Sequence, residues 1–502
     1  MSKVFKAGLL CLAVAALVWL VTLWRWQTTG RDVSGGDILG QLVVLPLLLS
    51  AVLLLAVWGV ARLRVNAAKP LPAVPVVSTS TAPAMAAPLD PRSLSVAVID
   101  SAVSLSVGTS ATQALMQIRS GEVRPSLDPE LQDIDGLPVF SARLPDLDTE
   151  ALRERLPVEV SDRAVRALAM LQQPADQLFA RVLDLVQGWP TRQLPVQTAD
   201  APQPTMKAHL SGLAPLAGGD MPKVACPRLV VRLAVPAAWN EAEREHAAAW
   251  LRMQWADLPS EALPEAPPSL HVHALEHPDA LWSLLDQQTV QWSREASPQW
   301  CLVLVADSAL DASEIERRQA IGELFTGAHQ TGRIPGEGAA GLLLTTLDWP
   351  GLNEMNPAPA RLSRPVRLRR DKSADAFGRV GPAVLQDAMS QALNVCAAQA
   401  QDLAQVVADA DHRASRTAEL FEALQGAAPG LDPMLAVTRV GEACGDLGLA
   451  GALVPVALAA GLAQQDDAAG VALAVHVQAT HERLAVALLP WTWAPASAQA
   501  AT

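Results

Sequence analysis

Two long apolar runs open the chain. Phe5 to Trp24 carries no charge after Lys6 and spans about twenty positions, the length that crosses a hydrocarbon core of roughly 30 Å. Ile38 to Val60 is a second such run. A cleavable signal peptide competes for the first, but its apolar part is too long and a second span follows too closely. The pattern therefore predicts a transmembrane hairpin over 1–64, with helices at about 5–24 and 38–60, and Trp24, Trp26 and Trp58 near the interfaces. Lys3, Lys6, Arg62, Arg64 and Lys69 flank the outer ends, whereas only Arg25 and Arg31 lie between the runs. The positive-inside rule places both termini and the main domain in the cytoplasm of an inner membrane; the inverse topology would put that domain in the periplasm.

Residues 65–92 are rich in Ala, Pro, Val, Ser and Thr, without helical or alternating periodicity, and read as an extended tether. Beyond it the pattern turns to strands and helices. Ser93 to Val107 is dense in β-branched and small residues and predicts the first strand. Leu127 to Asp148, with prolines and acids at turn-like spacing, predicts an ordered surface loop rather than a calcium loop, because the acids lack regular ligand spacing. Ala225 to Val235 reads as a strand and Ala237 to Asp257 as a helix. Strand Leu270 to Leu275, helix Pro278 to Trp292 and strand Cys301 to Ala306 then form a βαβ unit. The same grammar returns further on, with helix Val384 to Ala400, strand Asp402 to Ala410 and helix Ala414 to Gln425. A glycine-rich loop and small-residue helix follow over Val440 to Leu462, then a closing hairpin, Val471 to Thr480 and Leu484 to Pro490. Two halves, 93–347 and 348–502, follow from this repetition, and periodicity alone gives an α/β class.

Composition narrows the partners. Half of the 502 residues are hydrophobic but only 4% are aromatic, with fourteen Trp, six Phe and no Tyr, so the core must be built from Ala, Leu and Val. A net charge of −13 and no basic patch argue against nucleic acid. Five scattered cysteines, none in a CxxC pair, favour a reducing compartment and give no sign of zinc.

RIPGEGAAGLLLTT, Arg333 to Thr346, carries the most information. Pro335 fixes φ and Gly336 tolerates positive φ, so the pair suits the centres of a type II turn feeding a strand buried on both faces. A PGEGAA turn entering an apolar strand resembles the β-ketoacyl synthases of the thiolase superfamily. Cys301 to Leu310 and Gly441 to Leu462 resemble two further segments of that family, in the right order. The resemblance implies a thiolase-like duplicated five-layer domain and a homodimer, although no dimerising edge strand is legible. It also implies a nucleophilic cysteine at a strand-to-helix turn and two histidines. The matching turn is Ala274 to Pro278, with Glu276 and His277 but no cysteine. The first histidine motif falls near Asp409 to Arg413, where His412 survives without the glycines; the second falls at Cys444 to Gly448 and has no histidine. Condensation chemistry, and hence an enzyme with a catalytic residue or cofactor, is not expected.

Three other constellations each admit a functional and a structural reading. His271, His273 and His277 form HxHxxxH, a conceivable metal site, but no carboxylate pattern completes it and no metal is expected. Cys444 before a helix reads as an activated thiol or, more simply, as a small apolar filler. Trp239, Trp250 and Trp255, with Arg252, read as a partner surface or as core packing of one helix.

The twin-helix start, the Ala/Pro tether, LDPELQDIDGLPVF and VVADADHRASRTAEL together resemble the type VI secretion lipase adaptor family of Gram-negative bacteria. That resemblance implies a non-catalytic adaptor that recruits a lipase effector and loads it onto a VgrG-type spike. Its candidate partner surface is Trp239, Trp250, Trp255, Arg252, Asp133 and Asp135. The alternative is a divergent acyltransferase or acyl-binding protein that uses His277, His412 or Cys444 in the remnant cleft. A membrane-bound structural component, needing only the hairpin, is a third reading.

Overall fold

The computed structural model describes Trp19 and residues 94–157, 159–192, 226–259, 267–294, 299–379, 381–468 and 470–494. Both expected membrane helices, apart from Trp19, and the tether lie outside the described residues. Among the described residues no helix is long and apolar enough to cross a membrane.

The first half contains β1 (Ser95–Leu105), α1 (Ala111–Ser120), the hairpin β2 (Ser126–Gln132) and β3 (Pro138–Ser141), and α2 (Asp162–Arg192). It continues with β4 (Arg228–Pro236), α3 (Glu241–Ala256), β5 (Ser269–Leu275), α4 (Pro278–Trp292), β6 (Gln299–Ser308), α5 (Ala312–Ala320) and β7 (Glu337–Thr345). The second half holds β8 (Ala360–Ser363), β9 (Val366–Arg369), α6 (Ala383–Val395), β10 (Leu403–Ala408) and α7 (Ala414–Ala427). It ends with β11 (Val437–Arg439), α8 (Val440–Cys444), α9 (Val454–Ala463), β12 (Val471–His476) and β13 (Glu482–Pro490).

All strands but the β2–β3 hairpin join one 11-stranded sheet, in the order β11-β10-β12-β13-β8-β1-β7-β6-β4-β5, with β9 also pairing β13. This order contains a repeat. When the five principal strands of each half are numbered in chain order, each half reads 3-2-4-5-1 from its outer edge inward. In both, strand 5 runs antiparallel to its two neighbours and the other internal pairs are parallel. The halves join where β1 and β8 pair antiparallel, from Ser95 opposite Ser363 to Val98 opposite Ala360.

Side-chain burial sorts the helices into layers. One outer core places α2 and α3 against the first half, with Leu168, Leu178, Trp250, Leu233 and Leu304. The opposite outer core places α6 and α7 against the second, with Met389, Leu420 and Leu473. Between them α1, α4 and α9 meet inward residues from both halves. The helix α9, VPVALAAGLA, is apolar all round and buried along its length, as a helix enclosed on every side must be. In β1 a bulge between Val98 and Asp100 shifts the alternation: Val96 and Val98 face the central core before it, Val103 and Leu105 after it.

Several expectations change. The stretch 127–148 is not simply a loop, since the β2–β3 hairpin occupies most of it. Helix α3 starts at Glu241 rather than Ala237, because Asn240 accepts from Glu243 N at 2.9 Å while the Glu243 carboxylate accepts from Asn240 N at 2.8 Å, a reciprocal cap that fixes the first turn. The 31-residue α2 has no counterpart in the sequence reading. Its buried face, Val165, Leu168, Leu171, Ala175, Leu178, Val182 and Leu185, repeats every three or four residues, but Pro174 in the middle reads as a break.

Candidate functional site

The PGEG segment is a strap rather than a type II turn. Gly336 does not have positive φ. It lies extended, with Gly336 bridged to Ala142 and Pro335 to Asp446. Gly336 N donates to Asp446 O at 3.1 Å and Asp446 N to Ile334 O at 2.8 Å. The glycine is demanded by proximity: a Cβ there would sit 2.0 Å from the Cys444 carbonyl oxygen. Glu337 follows it into the interior, 0% exposed, and its carboxylate accepts from Arg166 Nη2 at 2.6 Å, Arg166 Nε at 2.9 Å, Ser308 Oγ at 2.8 Å and Leu144 N at 2.9 Å. Arg166 stands on the unforeseen α2, so this strap and that helix are one unit.

The strap forms one side of a cleft of about 780 Å³ that gathers residues from both halves. The β5–α4 turn contributes Glu276 and His277, where His277 caps α4 with extended backbone and Pro278 starts the helix. The ends of β6, β10 and β12 contribute Asp307, Asp409 and His476, and the glycine-rich segment contributes Gly445 to Leu449. The pairing of β10 with β12 sets Ala408 opposite Val475, so the next residues along each strand, Asp409 and His476, meet at the cleft. Nδ1 of the buried His476 lies against Oδ2 of Asp409. Asp409 Oδ1 accepts from Val477 N at 2.7 Å.

A chain of buried ion pairs lies beneath. Arg163 reaches Asp307 at 2.9 Å, Arg318 reaches Glu314 at 2.7 Å and Asp446 at 3.0 Å, and Arg333 reaches Asp446 at 3.4 Å. Burial works to raise the Glu314 carboxyl, but Arg317 and Arg318 more than offset it and hold it at about 2. Burial also works to raise Asp446, which Arg318 and Arg333 keep well below the usual carboxylate range. At Asp307 burial wins despite Arg163 and the Leu449 N–H, and its carboxyl is raised.

The remnant cleft residues scatter. His277 lines the cleft. His412 does not: its ring meets Phe325 edge-on at 5.1 Å, and its buried nitrogens have no hydrogen-bond partner among the described residues. Cys444 is fully buried in the central core, and burial pushes its thiol up to about 12. It is therefore a filler and not an activated thiol. We expect Cys444 to stay unlabelled by iodoacetamide at pH 8 in the folded chain and to react after urea unfolding, read by peptide mass; labelling in the folded state would refute its burial. Among the described residues no cysteine lines the cleft. His271 and His273 lie with ring centroids 6.4 Å apart, but Arg232 Nη1 stands 3.3 Å from His273 Nε2, a cation where a metal would need a lone pair.

The proposed partner surface also divides. Trp239, Trp250 and Trp255 are buried in the α2–α3 core, which corrects their reading as surface anchors. Arg252 on the same helix is exposed. Asp133 and Asp135 stand at the hairpin tip, where Asp133 Oδ1 accepts from Asp135 N at 2.9 Å and Leu137 N at 2.8 Å. This turn presents Ile134 and Leu137 to solvent at 64% and 60% exposure, a pair the sequence reading did not single out.

One comparison with known families bears on the second half. Residues 360–490 match the family described as type VI lipase adapter protein Tla3, C-terminal. The matched segment runs from the first residue of β8 to the last of β13, so it is the second structural repeat. No curated protein matches the chain. Similar solved structures include the ishigamide ketosynthase/chain length factor, 14% identical, covering 78% of this chain and 99% of that one at a TM-score of 0.47. A β-ketoacyl synthase from Burkholderia phymatum is 12% identical, with coverage of 79% and 99% and a TM-score of 0.48. The fold itself is mixed α/β about one large mixed sheet, with the strand order 3-2-4-5-1 twice over and helices inside and outside.

Proposed function

We propose that this protein is a non-catalytic adaptor of type VI secretion, anchored in the inner membrane with its main domain in the cytoplasm, that binds a lipase effector and presents it to the spike. The observation that carries this reading is the match of Ala360 to Pro490 to the lipase adapter family, on a chain whose cleft has no thiol at the β5–α4 turn. Glu276 and His277 stand there instead, and neither Cys301 nor Cys444 can replace a nucleophile, since burial pushes both thiols up to about 12. The anchor and its orientation rest on the apolar runs 5–24 and 38–60 and their basic flanks.

The effector-facing surface we assign is the β2–β3 hairpin tip, where Ile134, between Asp133 and Asp135, and Leu137 beyond them stand out. The full chain, solubilised in mild detergent, is expected to enrich a co-encoded phospholipase and a VgrG-type spike protein in pull-down. Ile134→Asp with Leu137→Asp is expected to reduce lipase recovery about tenfold, the loss of two apolar anchors. No enrichment of either partner by the unmodified chain would sink the adaptor reading.

A further inference from the structure

The cleft is charged in an unbalanced way. Eight carboxylates and six guanidiniums line it. Every guanidinium is matched to a carboxylate of the same lining: Arg163 to Asp307, Arg317 and Arg318 to Glu314, Arg333 to Asp446, and Arg367 and Arg369 to Glu482. Three carboxylates make no close ion pair with a guanidinium among the described residues, Glu276, Glu323 and Asp409, although Glu323 stands in the field of Arg317 and Arg333. The first is exposed, the second half-buried and the third buried against His476.

His476 supplies the second half of the reading. It is 1% exposed and lines the cleft, and its Nε2 has no hydrogen-bond partner among the described residues. The neutral tautomer that carries its proton on Nδ1, facing this carboxylate, presents a lone pair on Nε2. A buried acceptor without a donor is unfavourable, and a ligand able to donate relieves it. An anion meets a lining with more carboxylates than guanidiniums, and a purely apolar group leaves Nε2 unsatisfied.

We propose that this cleft binds an organic ammonium group, which donates to Nε2 of His476 while Glu276, Glu323 and Asp409 balance its charge. The site is independent of the adaptor reading, because it needs neither the lipase nor the spike. It is also unlike an acyl-thioester site, since it selects for positive charge and for a donor. The same chemistry comes from a free polyamine or from a lysine side chain of a polypeptide.

Isothermal titration calorimetry of the full chain with cadaverine, and separately with a capped pentapeptide bearing one lysine, tests the proposal. Saturable binding of at least one probe is expected; cadaverine alone assigns a free amine, and the peptide alone assigns a lysyl polypeptide. His476→Gln should weaken binding about tenfold, the worth of one buried hydrogen bond to a charged group. Glu276→Gln with Glu323→Gln should weaken it about fivefold and leave the urea unfolding midpoint unchanged, which separates lost binding from lost folding. Absence of heat from both probes, or equal affinity in the folded Glu276/Glu323 variant, would overturn the assignment. So would acetyl-CoA binding more tightly than either amine.

Discussion

Replacing Glu337 with alanine is expected to destabilise the protein by about 3–5 kcal/mol, the range for breaking a buried ion pair from one side. Its carboxylate is fully buried and accepts four hydrogen bonds, two of them from Arg166, which is itself largely enclosed. Removing it leaves a guanidinium, a serine hydroxyl and the Leu144 N–H without their acceptor. Urea unfolding followed by tryptophan fluorescence measures the loss, with Glu316→Ala on the exposed face of α5 as a control expected to change stability by less than about 0.5 kcal/mol. Glu337→Leu combined with Arg166→Met should lose less than Glu337→Ala, because no buried charge is then left alone. If the single and the control variants unfold together, Glu337 is not the tie between the strap and α2.

Gly336→Ala should cost at least about 3 kcal/mol, and the chain is expected to be recovered mostly in the insoluble fraction. The added carbon would lie 2.0 Å from the backbone oxygen of Cys444, and backbone, unlike a side chain, cannot swing aside. Separating the two segments would break the bridge of Pro335 to Asp446, and with it the placement of the Asp446 carboxylate between Arg318 and Arg333. Gly430→Ala, with nothing within 4 Å of the new carbon, is the comparison and should be neutral within about 0.5 kcal/mol. Equal solubility and equal unfolding midpoints for the two glycine variants would contradict the close approach.

Much of the scaffold could be read from local pattern. Helix α4 has the bounds expected for it, because Pro278 at its first position and a preceding strand leave little freedom in where it begins. The repetition of strand, helix and strand was visible for the same reason in both halves. The helix α2 was hidden by Pro174, which a long amphipathic helix packed on a sheet tolerates and an isolated one would not. The PGEG turn was misread because glycine answers two needs, positive φ and lack of volume, and the sequence does not say which.

The site was less legible than the scaffold, for a physical reason. Asp409 was seen only as part of a degraded motif, and nothing near His476 in the chain marks it out. They meet because β10 and β12 are parallel neighbours in register, a relation that belongs to the sheet and not to either strand. The tryptophans of α3 show the converse. Their spacing fits a surface and a core equally well, and the packing against α2 decides it.

The join between β1 and β8 decides how this protein can be cut. A fragment that begins at Ala360 would hold the whole family-matched repeat, yet it would carry β8 as a bare outer strand, with Ala360 to Ser363 stripped of their ladder to Ser95 to Val98. Strands in that condition recruit other strands, so such a fragment would be prone to stick to copies of itself. It would also lose half of the cleft wall, including Glu276, His277 and Asp307. Partner mapping by deletion would then report the adhesiveness of a torn sheet, whereas point substitutions in the intact chain keep the two repeats sealed against each other.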